Sequence, residues 1–336
     1  MTGHGLSRES IRPAAVMAGQ RLAMRRDIDW LANRAGDFAP ARCPACDADA
    51  PAALYEKYGM RHVRCGACAT QYVSPRPDEA TLARFYAESE NYAYWAEHVF
   101  PASAEARRER IFRPRAATAA SLVRRHGVDG ATLVEIGAGF GLFCDEAAGT
   151  GAFARIIAVE PTPQLARVCR ERGLDTIAAP YEQIELDAPA DLIAAFEVIE
   201  HLHDPARFLR WCHATLRPGG GVLLTCPNIR GFETLILGRE SDAVDHEHLN
   251  LFHPHSLRTL AERCGFAEVA VTTPGELDVD LVRDAVADRR IDAEALGPFL
   301  AAVIRDGDDA ERATLQSFVR DAGYSSNMMM IARRPQ

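Results

Sequence analysis

A glycine-rich stretch, residues 134–141 (VEIGAGFG), constrains the fold of this chain more than any other feature of the sequence. The apolar residues that lead into it are typical of a buried strand in a parallel sheet. Gly137, Gly139 and Gly141 then allow the backbone to turn tightly and to approach a ligand closely. The stretch therefore predicts a strand that turns sharply into a helix, with a ligand bound at the turn.

Glu135 lies inside this apolar strand, where a carboxylate is unfavourable unless a cation or several donors meet it. A cofactor that carries an ammonium and a sulfonium group would meet it well, and S-adenosylmethionine (SAM) is such a cofactor. A nicotinamide or flavin cofactor fits less well, because Leu142 stands where that fingerprint has its third glycine.

Strand and helix patterns alternate from residue 131 onward, which predicts an α/β fold with a Rossmann-like, doubly wound, seven-stranded sheet. The predicted strands are 131–136, 155–160, 175–179, 190–196, 221–226, 266–272 and 327–332, and the helices between the first five are 141–149, 163–172 and 204–216. About fifty residues separate the last two strands. This helical insertion, at about 274–324, is predicted to select the second substrate (the acceptor) or to form a dimer interface. The alternative is that it only packs on the protein surface with its polar side in solvent.

Glu160 ends the second predicted strand, twenty-three residues after Gly137. A carboxylate in this position can accept hydrogen bonds from both hydroxyls of a ribose. No acid directly follows the third strand, so Tyr181, Glu182 or backbone groups would have to bind an adenine. These residues extend the predicted cofactor site along the carboxyl ends of the strands.

Four cysteines form two C-x-x-C pairs near the N-terminus, Cys43 with Cys46 and Cys65 with Cys68. Their spacing matches a four-thiolate zinc site, in which each pair forms one tight turn. With all four positions filled by sulfur, the zinc would be structural. Disulfides and a redox dithiol are the alternatives, and both fit less well with two matched pairs in a reducing compartment.

The predicted division of the chain follows these features. An N-terminal helical arm spans 1–41, a zinc ribbon 42–74, a helical linker or lid 75–126, and a SAM-binding domain 127–336. The aromatic residues of the linker are predicted either to pack against the ribbon or to close a small-molecule pocket.

Charge and hydropathy exclude several classes of function. The net charge of −9 argues against a nucleic-acid backbone as the main partner. No apolar run approaches the ~20 residues of a membrane span, so no membrane partner is expected. The N-terminus lacks the apolar core of a secretory signal, and a cytoplasmic location is expected.

Two further segments carry a family resemblance: residues 197–202 (EVIEHL) and residues 216–220 (LRPGG). Together with the glycine turn and Glu160, they occur in the order and at the intervals of class I SAM-dependent methyltransferases, which the chain resembles over about residues 115–272. The resemblance implies that Gly137, Gly139 and Glu160 line the cofactor and that Ala195, Phe196 and Glu197 flank it. The four-cysteine ribbon narrows the resemblance to bacterial enzymes that act on sugars, polyketides and other small metabolites.

An ionisable segment, residues 245–248 (DHEH), follows the fifth strand on the side where this fold places acceptor loops. It is similar to the active-site segment of zinc-ribbon sugar C-methyltransferases, in which the residues matching Glu247 and His248 do acid–base work. We predict that His248, supported by Glu247 or His246, is the base. Asp245 stands where those enzymes usually have a tyrosine, and the methylated atom, oxygen, nitrogen or carbon, stays open.

Glu197, Glu200 and His201 are the second ionisable group, and two interpretations of it are open. They would bind a divalent cation, as in the similar quinone-pathway O-methyltransferases, or Glu197 would touch the cofactor while the other two pair locally.

The predicted function is transfer of a methyl group from SAM to a small acceptor, such as a sugar, a nucleotide sugar or a secondary metabolite. A homodimer is the assembly considered for the chain. An inactive SAM-binding scaffold that recruits a partner through the ribbon is the alternative, but a scaffold needs no base beside its cofactor. A nicotinamide-dependent oxidoreductase is a third interpretation, which Leu142 and Glu135 make unfavourable.

Overall fold

The computed structural model describes residues 7–336, so the first six residues of the predicted N-terminal arm lie outside the described part. The strands of the described residues are β1 (Pro51–Lys57), β2 (Met60–Cys65), β3 (Gln71–Val73), β4 (Ala131–Ile136), β5 (Phe153–Val159), β6 (Asp175–Ile177), β7 (Ala190–Phe196), β8 (Leu216–Pro227), β9 (Asn250–Leu251), β10 (Ala267–Thr272) and β11 (Asn327–Arg333).

The α-helices of the same residues are α1 (Arg8–Ile11), α2 (Ala14–Ala32), α3 (Glu79–Glu88), α4 (Glu90–Tyr94), α5 (Phe100–Arg107), α6 (Arg113–Arg125), α7 (Leu142–Gly149), α8 (Pro163–Glu171), α9 (Pro205–Thr215), α10 (Phe232–Leu237), α11 (Pro254–Arg263), α12 (Asp278–Ala287), α13 (Gly297–Ala301) and α14 (Asp309–Asp321). Helices α4, α5 and α6 follow one another through two π-helical turns, Trp95–Val99 and Arg108–Phe112. The predicted arm helix is α2, and the predicted helical insertion contains α12, α13 and α14.

The main sheet has seven strands in the order β10-β11-β8-β7-β4-β5-β6. The five strands from β8 to β6 are parallel, and β11 lies antiparallel between β8 and β10. This arrangement confirms the predicted Rossmann-like α/β fold. The chain leaves β4 toward one edge and later returns to its other side, and ligands of such sheets bind at the carboxyl ends of the strands at this reversal.

Both faces of the main sheet are covered by apolar packing. On one face, α6 presents a stripe of small residues that includes Ala116, Ala119 and Ala120, all at most 1% exposed. The small side chains let the helix lie close to the strands, and Phe143 of α7 fills the space beside them. The strand predicted after the LRPGG segment, 221–226, is corrected at one point: β8 already begins at Leu216, which pairs with Ala190 of β7.

A second, smaller sheet has the order β1-β2-β3-β9. Its first three strands belong to the predicted ribbon, whereas β9 comes from the loop that follows β8. The pairing is antiparallel, with Gln71 opposite Leu251 and Tyr72 opposite Asn250. The ribbon is therefore not an independent domain, because the segment that follows the DHEH residues supplies the last strand of its sheet.

Asn250 joins this small sheet to the main one. Its side-chain oxygen accepts a hydrogen bond from buried Arg76 (3.0 Å). Its side-chain nitrogen lies 2.7 Å from the carbonyl oxygen of Leu202 and 3.2 Å from that of Glu200, in the turn after β7. Asn250 is 1% exposed, and its side chain is the hydrogen-bond partner of buried Arg76 and of the Leu202 carbonyl. The Glu200 carbonyl also accepts from the Asn250 backbone N–H.

We expect Asn250→Ala to lower the free energy of unfolding by about 1–3 kcal/mol, because it leaves buried polar groups without a partner. Urea denaturation measures this change. Glu262→Ala, at an exposed position of α11, is the matched control and should change the free energy of unfolding by less than about 0.5 kcal/mol. An Asn250→Ala protein as stable as the control would contradict the role given to this side chain.

Candidate active site

One cleft of about 1950 Å³ opens at the carboxyl ends of β4, β5, β7 and β8. A pocket for one small molecule typically measures roughly 300–1,000 Å³, so this cleft has room for two ligands side by side. The predicted site residues that line it are Glu135, Gly137, Gly139, Glu160, Phe196, Glu197, His246, Glu247 and His248. Gly141 and Ala195 do not line it.

The glycine turn places its open side toward the cleft at Gly139. Gly139 has φ +56°, and a Cβ atom added there would meet no atom within 4 Å, so a side chain would occupy cleft space. Gly141 has a different reason to be glycine, because an added Cβ would clash with Leu174 between α7 and α8. The turn thus has one position that keeps the cleft open and one that allows close packing.

Glu160 holds its carboxylate at the end of β5. Its two oxygens accept hydrogen bonds from the backbone N–H groups of Gly139 and Thr162, both at 2.8 Å. The residue is 4% exposed, and burial raises its pKa above the usual range. Since each carboxylate oxygen can accept more than one hydrogen bond, the group remains able to receive hydroxyls from the cleft.

Glu135 is buried at the end of β4 as predicted, with 2% of its surface exposed. It accepts a hydrogen bond from the Cys144 thiol (3.0 Å), and burial raises its pKa to about 8. A thiol is a weak donor. Within residues 7–336 no salt bridge is formed to Glu135, and the charge that favours its ionised form is that of the more distant Arg115, so a ligand ammonium in the cleft would supply a direct cationic partner.

Glu197 lies at the end of β7 with φ +55°, an uncommon conformation for a residue other than glycine. Such backbone geometry is frequent at binding sites, where the surrounding structure holds it. Here the carboxylate oxygen Oε1 accepts from Thr225 (2.6 Å), Asn327 (3.2 Å) and Arg115 (3.2 Å). Three donors from different elements thus fix this carboxylate against the wall of the cleft.

His248 faces the same cleft with a defined tautomer. Its Nδ1 lies 2.8 Å from the carbonyl oxygen of Ala243, which can only accept, so Nδ1 carries the proton and Nε2 has a lone pair. Asp245 Oδ2 lies 3.6 Å from that Nε2. Burial opposes ionisation of Asp245, but the surrounding His248, His246 and His201 hold its pKa below the usual range. Asp245 is thus an anion placed to stabilise a protonated His248.

The residues that contact the His248 ring differ from the ones predicted to assist it. Within residues 7–336, the polar partners of the His248 ring are Ala243 and Asp245, not Glu247 or His246. Sequence reasoning noted Asp245 as an unusual residue but gave it no role. A carboxylate three residues before a histidine, with a tight turn between them, is the signal that could have identified it.

Glu247 instead turns away from His248. Its Oε1 accepts from the amide of Asn91 (2.8 Å) and lies 3.3 Å from His246 Nε2, while its Oε2 lies 4.0 Å from His201 Nδ1. Burial raises the pKa of Glu247 well above the usual range, and the Asn91 hydrogen bond opposes this shift only in part. His246 is 2% exposed and packs edge-on against Phe85, as a core histidine does.

A possible cation site is formed by Glu200, His201 and His248, whose ligand atoms all lie within 4.8 Å of one another. Both Glu200 oxygens are buried and have no hydrogen-bond partner within residues 7–336. Burial raises the pKa of Glu200 well above the usual range and lowers that of His201 to about 3. His248 thus stands where the sequence predicted Glu197, which is engaged elsewhere.

The four predicted cysteine ligands converge in the ribbon. The Sγ atoms of Cys43 and Cys68 are 3.4 Å apart and those of Cys46 and Cys65 are 3.6 Å apart, and all four lie within 4.8 Å. These distances are far longer than a disulfide bond. Sulfurs bound at about 2.3 Å to a tetrahedral zinc lie about 3.8 Å apart, so the cluster fits that ion.

The linker aromatics form one wall of the cleft. Tyr86, Tyr92, Trp95 and Phe100 line it, and the guanidinium of Arg107 lies 4.9 Å from the Phe100 ring centre. Of the two predicted roles for these residues, packing against the ribbon and enclosing a ligand, their positions favour the second. Residues 274–278 of the insertion also line the cleft.

Comparison with known proteins identifies the domain. Residues 103–271, half of the chain, match a family described as "Methyltransferase domain". Ubiquinone biosynthesis O-methyltransferases are among the similar curated proteins. That of Xylella fastidiosa strain M23 is 32% identical over 127 residues, 35% of this chain and 51% of the relative. That of Methylobacterium sp. strain 4-46 is 36% identical over 135 residues, 35% of this chain and 53% of the relative.

The chain thus spans about half the length of the curated relatives it matches. Among solved structures, Haemonchus contortus phosphoethanolamine N-methyltransferase 2 in complex with phosphomonomethylethanolamine and S-adenosylhomocysteine overlaps with a TM-score of 0.43 and 17% identity. That overlap covers 64% of this chain and 52% of the other. The family match covers half of the chain, and the seven-stranded Rossmann-like sheet is typical of class I methyltransferases. The chain therefore belongs to the methyltransferase domain family, with a class I SAM-dependent methyltransferase domain.

Proposed function

We propose that this protein transfers the methyl group of SAM to a small polar acceptor, such as a sugar, a nucleotide sugar or a secondary metabolite. The observation that carries the proposal is the single cleft, which runs from Gly139 and Glu160 to His201 and His248. One end has the open glycine turn and carboxylates that a nucleoside with an amino acid side chain needs. The other end has a basic histidine where an acceptor would lie.

At the cofactor end, Glu160 would accept the ribose hydroxyls and Glu135 the ammonium group. Bound SAM supplies an electrophilic methyl carbon on its sulfonium. The acceptor atom attacks this carbon in line with the carbon–sulfur bond, that bond breaks, and S-adenosylhomocysteine leaves. Holding both reactants in this alignment accounts for much of the rate of such a transfer.

At the acceptor end, the role of His248 follows from its tautomer. Nε2 would take the proton of the acceptor as the new bond forms, and Asp245 would stabilise the resulting imidazolium. Glu247, whose Oε2 lies 4.0 Å from His201 Nδ1, would orient the acceptor through a hydrogen bond. Oxygen, nitrogen and carbon acceptors are all compatible with this arrangement.

The ribbon cysteines would hold one structural zinc ion. Four thiolates fill a tetrahedral zinc completely and leave no position for a substrate. Two similar turns support this assignment: the N–H of Asp47 donates to Cys43 O, and the N–H of Ala69 donates to Cys65 O, both at 2.9 Å. A metal there would act on stability and not on the chemical step.

A second candidate is cation-assisted transfer, in which Glu200, His201 and His248 bind a divalent cation that orients the acceptor. The buried, unpartnered carboxylate of Glu200 within the described residues favours it. In this case His248 would be a ligand and not a base. Activity would then disappear with a chelator and return with Mg²⁺ or Mn²⁺.

The cofactor assignment predicts that Glu160→Ala weakens SAM binding by about 1–3 kcal/mol, because the ribose hydroxyls lose a buried partner. Isothermal titration calorimetry of the variant and the wild type measures this. Glu185→Ala, at an exposed position that does not line the cleft, is the control. Wild-type protein that binds NADH and ignores SAM would contradict the assignment and favour the oxidoreductase.

The base assignment predicts that His248→Ala lowers kcat by about 10²–10⁴-fold, the usual contribution of a general base. SAM affinity should stay within about twofold, since an interaction made in the transition state does not appear in ground-state binding. Methyl transfer from labelled SAM, with an acceptor found by screening nucleotide sugars and phenolic or amino metabolites, measures the rate.

His255→Ala is the control for this measurement, because His255 is an exposed histidine of α11 outside the cleft. Near-full turnover of His248→Ala would show that His248 does not act as the base. A loss of turnover in His248→Ala that excess Mg²⁺ restores would instead favour the cation-assisted reaction.

A further inference from the structure

The N-terminal helix α2 buries polar side chains in its inward face. Gln20 and Asp27 lie on the same side of the helix as Leu31 and are 8% and 3% exposed, respectively. Buried polar groups are nearly always hydrogen-bonded, so the partners of these two residues show what the helix face is built to hold.

Asp27 holds the start of α4. Its carboxylate accepts hydrogen bonds from the backbone N–H groups of Glu90 (2.9 Å) and Asn91 (3.1 Å) and from the Ser89 hydroxyl. It also lies near His246 and Glu247, in a group close enough to bind a metal ion. Three donors at the start of α4 already occupy the carboxylate oxygens of Asp27. Capping of this helix therefore explains why Asp27 is buried, and no metal ion is needed.

Asn91 connects α2 to the acceptor side of the cleft. Its Oδ1 accepts from Gln20 Nε2, and its Nδ2 donates to Glu247 Oε1, both at 2.8 Å. With Gln20 Nε2 as donor on one side and Glu247 Oε1 as acceptor on the other, the Asn91 amide places Oδ1 toward Gln20 and Nδ2 toward Glu247. All three side chains are less than 9% exposed.

We propose that Asn91 is a positioning residue for Glu247, and that Gln20 and Asp27 of the N-terminal helix orient it. This chain of hydrogen bonds from Gln20 through Asn91 to Glu247, called the relay below, holds Glu247 Oε2 4.0 Å from His201 Nδ1. It keeps the Glu247 side chain away from His248. The proposal rests on the proposed function, in which Glu247 orients the acceptor. Helix α2 then helps to position a residue of the acceptor site, in addition to packing on its surface.

A double-mutant cycle tests this relay in the full-length, metal-loaded protein. Asn91→Ala and Glu247→Ala should each lower kcat by about 10–100-fold, the usual effect of losing a residue that orients a functional group. The double variant should be no slower than Glu247→Ala, because Asn91 acts only through Glu247. SAM affinity by calorimetry should remain within about twofold of the wild type.

Two further variants separate orientation from packing. Gln20→Ala should lower kcat in the same direction by a smaller factor, and its effect should vanish in the Asn91→Ala background. Tyr94→Phe is the matched control: it removes a 2.9 Å hydrogen bond from α4 to Val16 O in α2, but Tyr94 does not contact Glu247. It should leave kcat unchanged.

Each other outcome overturns the relay. Losses that multiply in the double variant, or a Tyr94→Phe loss as large as that of Asn91→Ala, would show that Asn91 only stabilises the fold. If Glu247→Ala lowers kcat and Asn91→Ala does not, the relay alone is wrong. If Glu247→Ala keeps wild-type kcat, the acceptor role in the proposed function fails with it. Should Asn91→Ala not fold, the Gln20→Ala and Glu247→Ala cycle gives the same decision.

Discussion

The antiparallel pairing of β3 with β9 is the interaction on which the rest of the acceptor side depends. It bonds the ribbon to the segment that follows His248, and Val73 N–H extends the pairing to Leu249 O at 2.9 Å. His253 Nε2, just beyond β9, lies 2.9 Å from the carbonyl oxygen of Cys68. The sequence predicts the ribbon as a separate module, but in the structure it is part of the scaffold that holds residues 245–252, called the histidine loop here.

This scaffold explains how one site is assembled from distant parts of the chain. The cofactor end needs only the main sheet, because Glu135, Gly139 and Glu160 follow parallel strands that meet at one edge. The acceptor end needs the loop after β8, the ribbon that fixes it and the N-terminal helix that reaches Glu247 through Asn91. Under the proposed function, changes in the ribbon, the arm or the insertion would alter the acceptor end and leave the cofactor end unchanged.

The sequence predicts which residues of the proposed cofactor end meet in the cleft, and it does so for a physical reason. A strand, a glycine turn and a strand-end acid are local patterns, and the parallel sheet brings them together without further information. The predicted cysteine cluster is local in the same way. The partners of His248 were missed because Ala243 lies in a loop without a periodic pattern, and the contact of Glu247 with Asn91 joins residues 156 positions apart. Gly141 and Ala195 were predicted at the cofactor, but the cleft is lined by their neighbours.

The central claim is that ribbon and histidine loop form one cooperative unit, and hydrogen–deuterium exchange tests it most directly. The full-length protein is compared before and after treatment with a chelator that would remove the zinc proposed for the ribbon cysteines, and elemental analysis first measures the zinc content per chain. The account predicts that amides of residues 245–252 lose protection together with β2 and β3, by about tenfold or more, while β4 and β5 keep theirs. A ribbon that exchanges freely while residues 245–252 remain protected would contradict it.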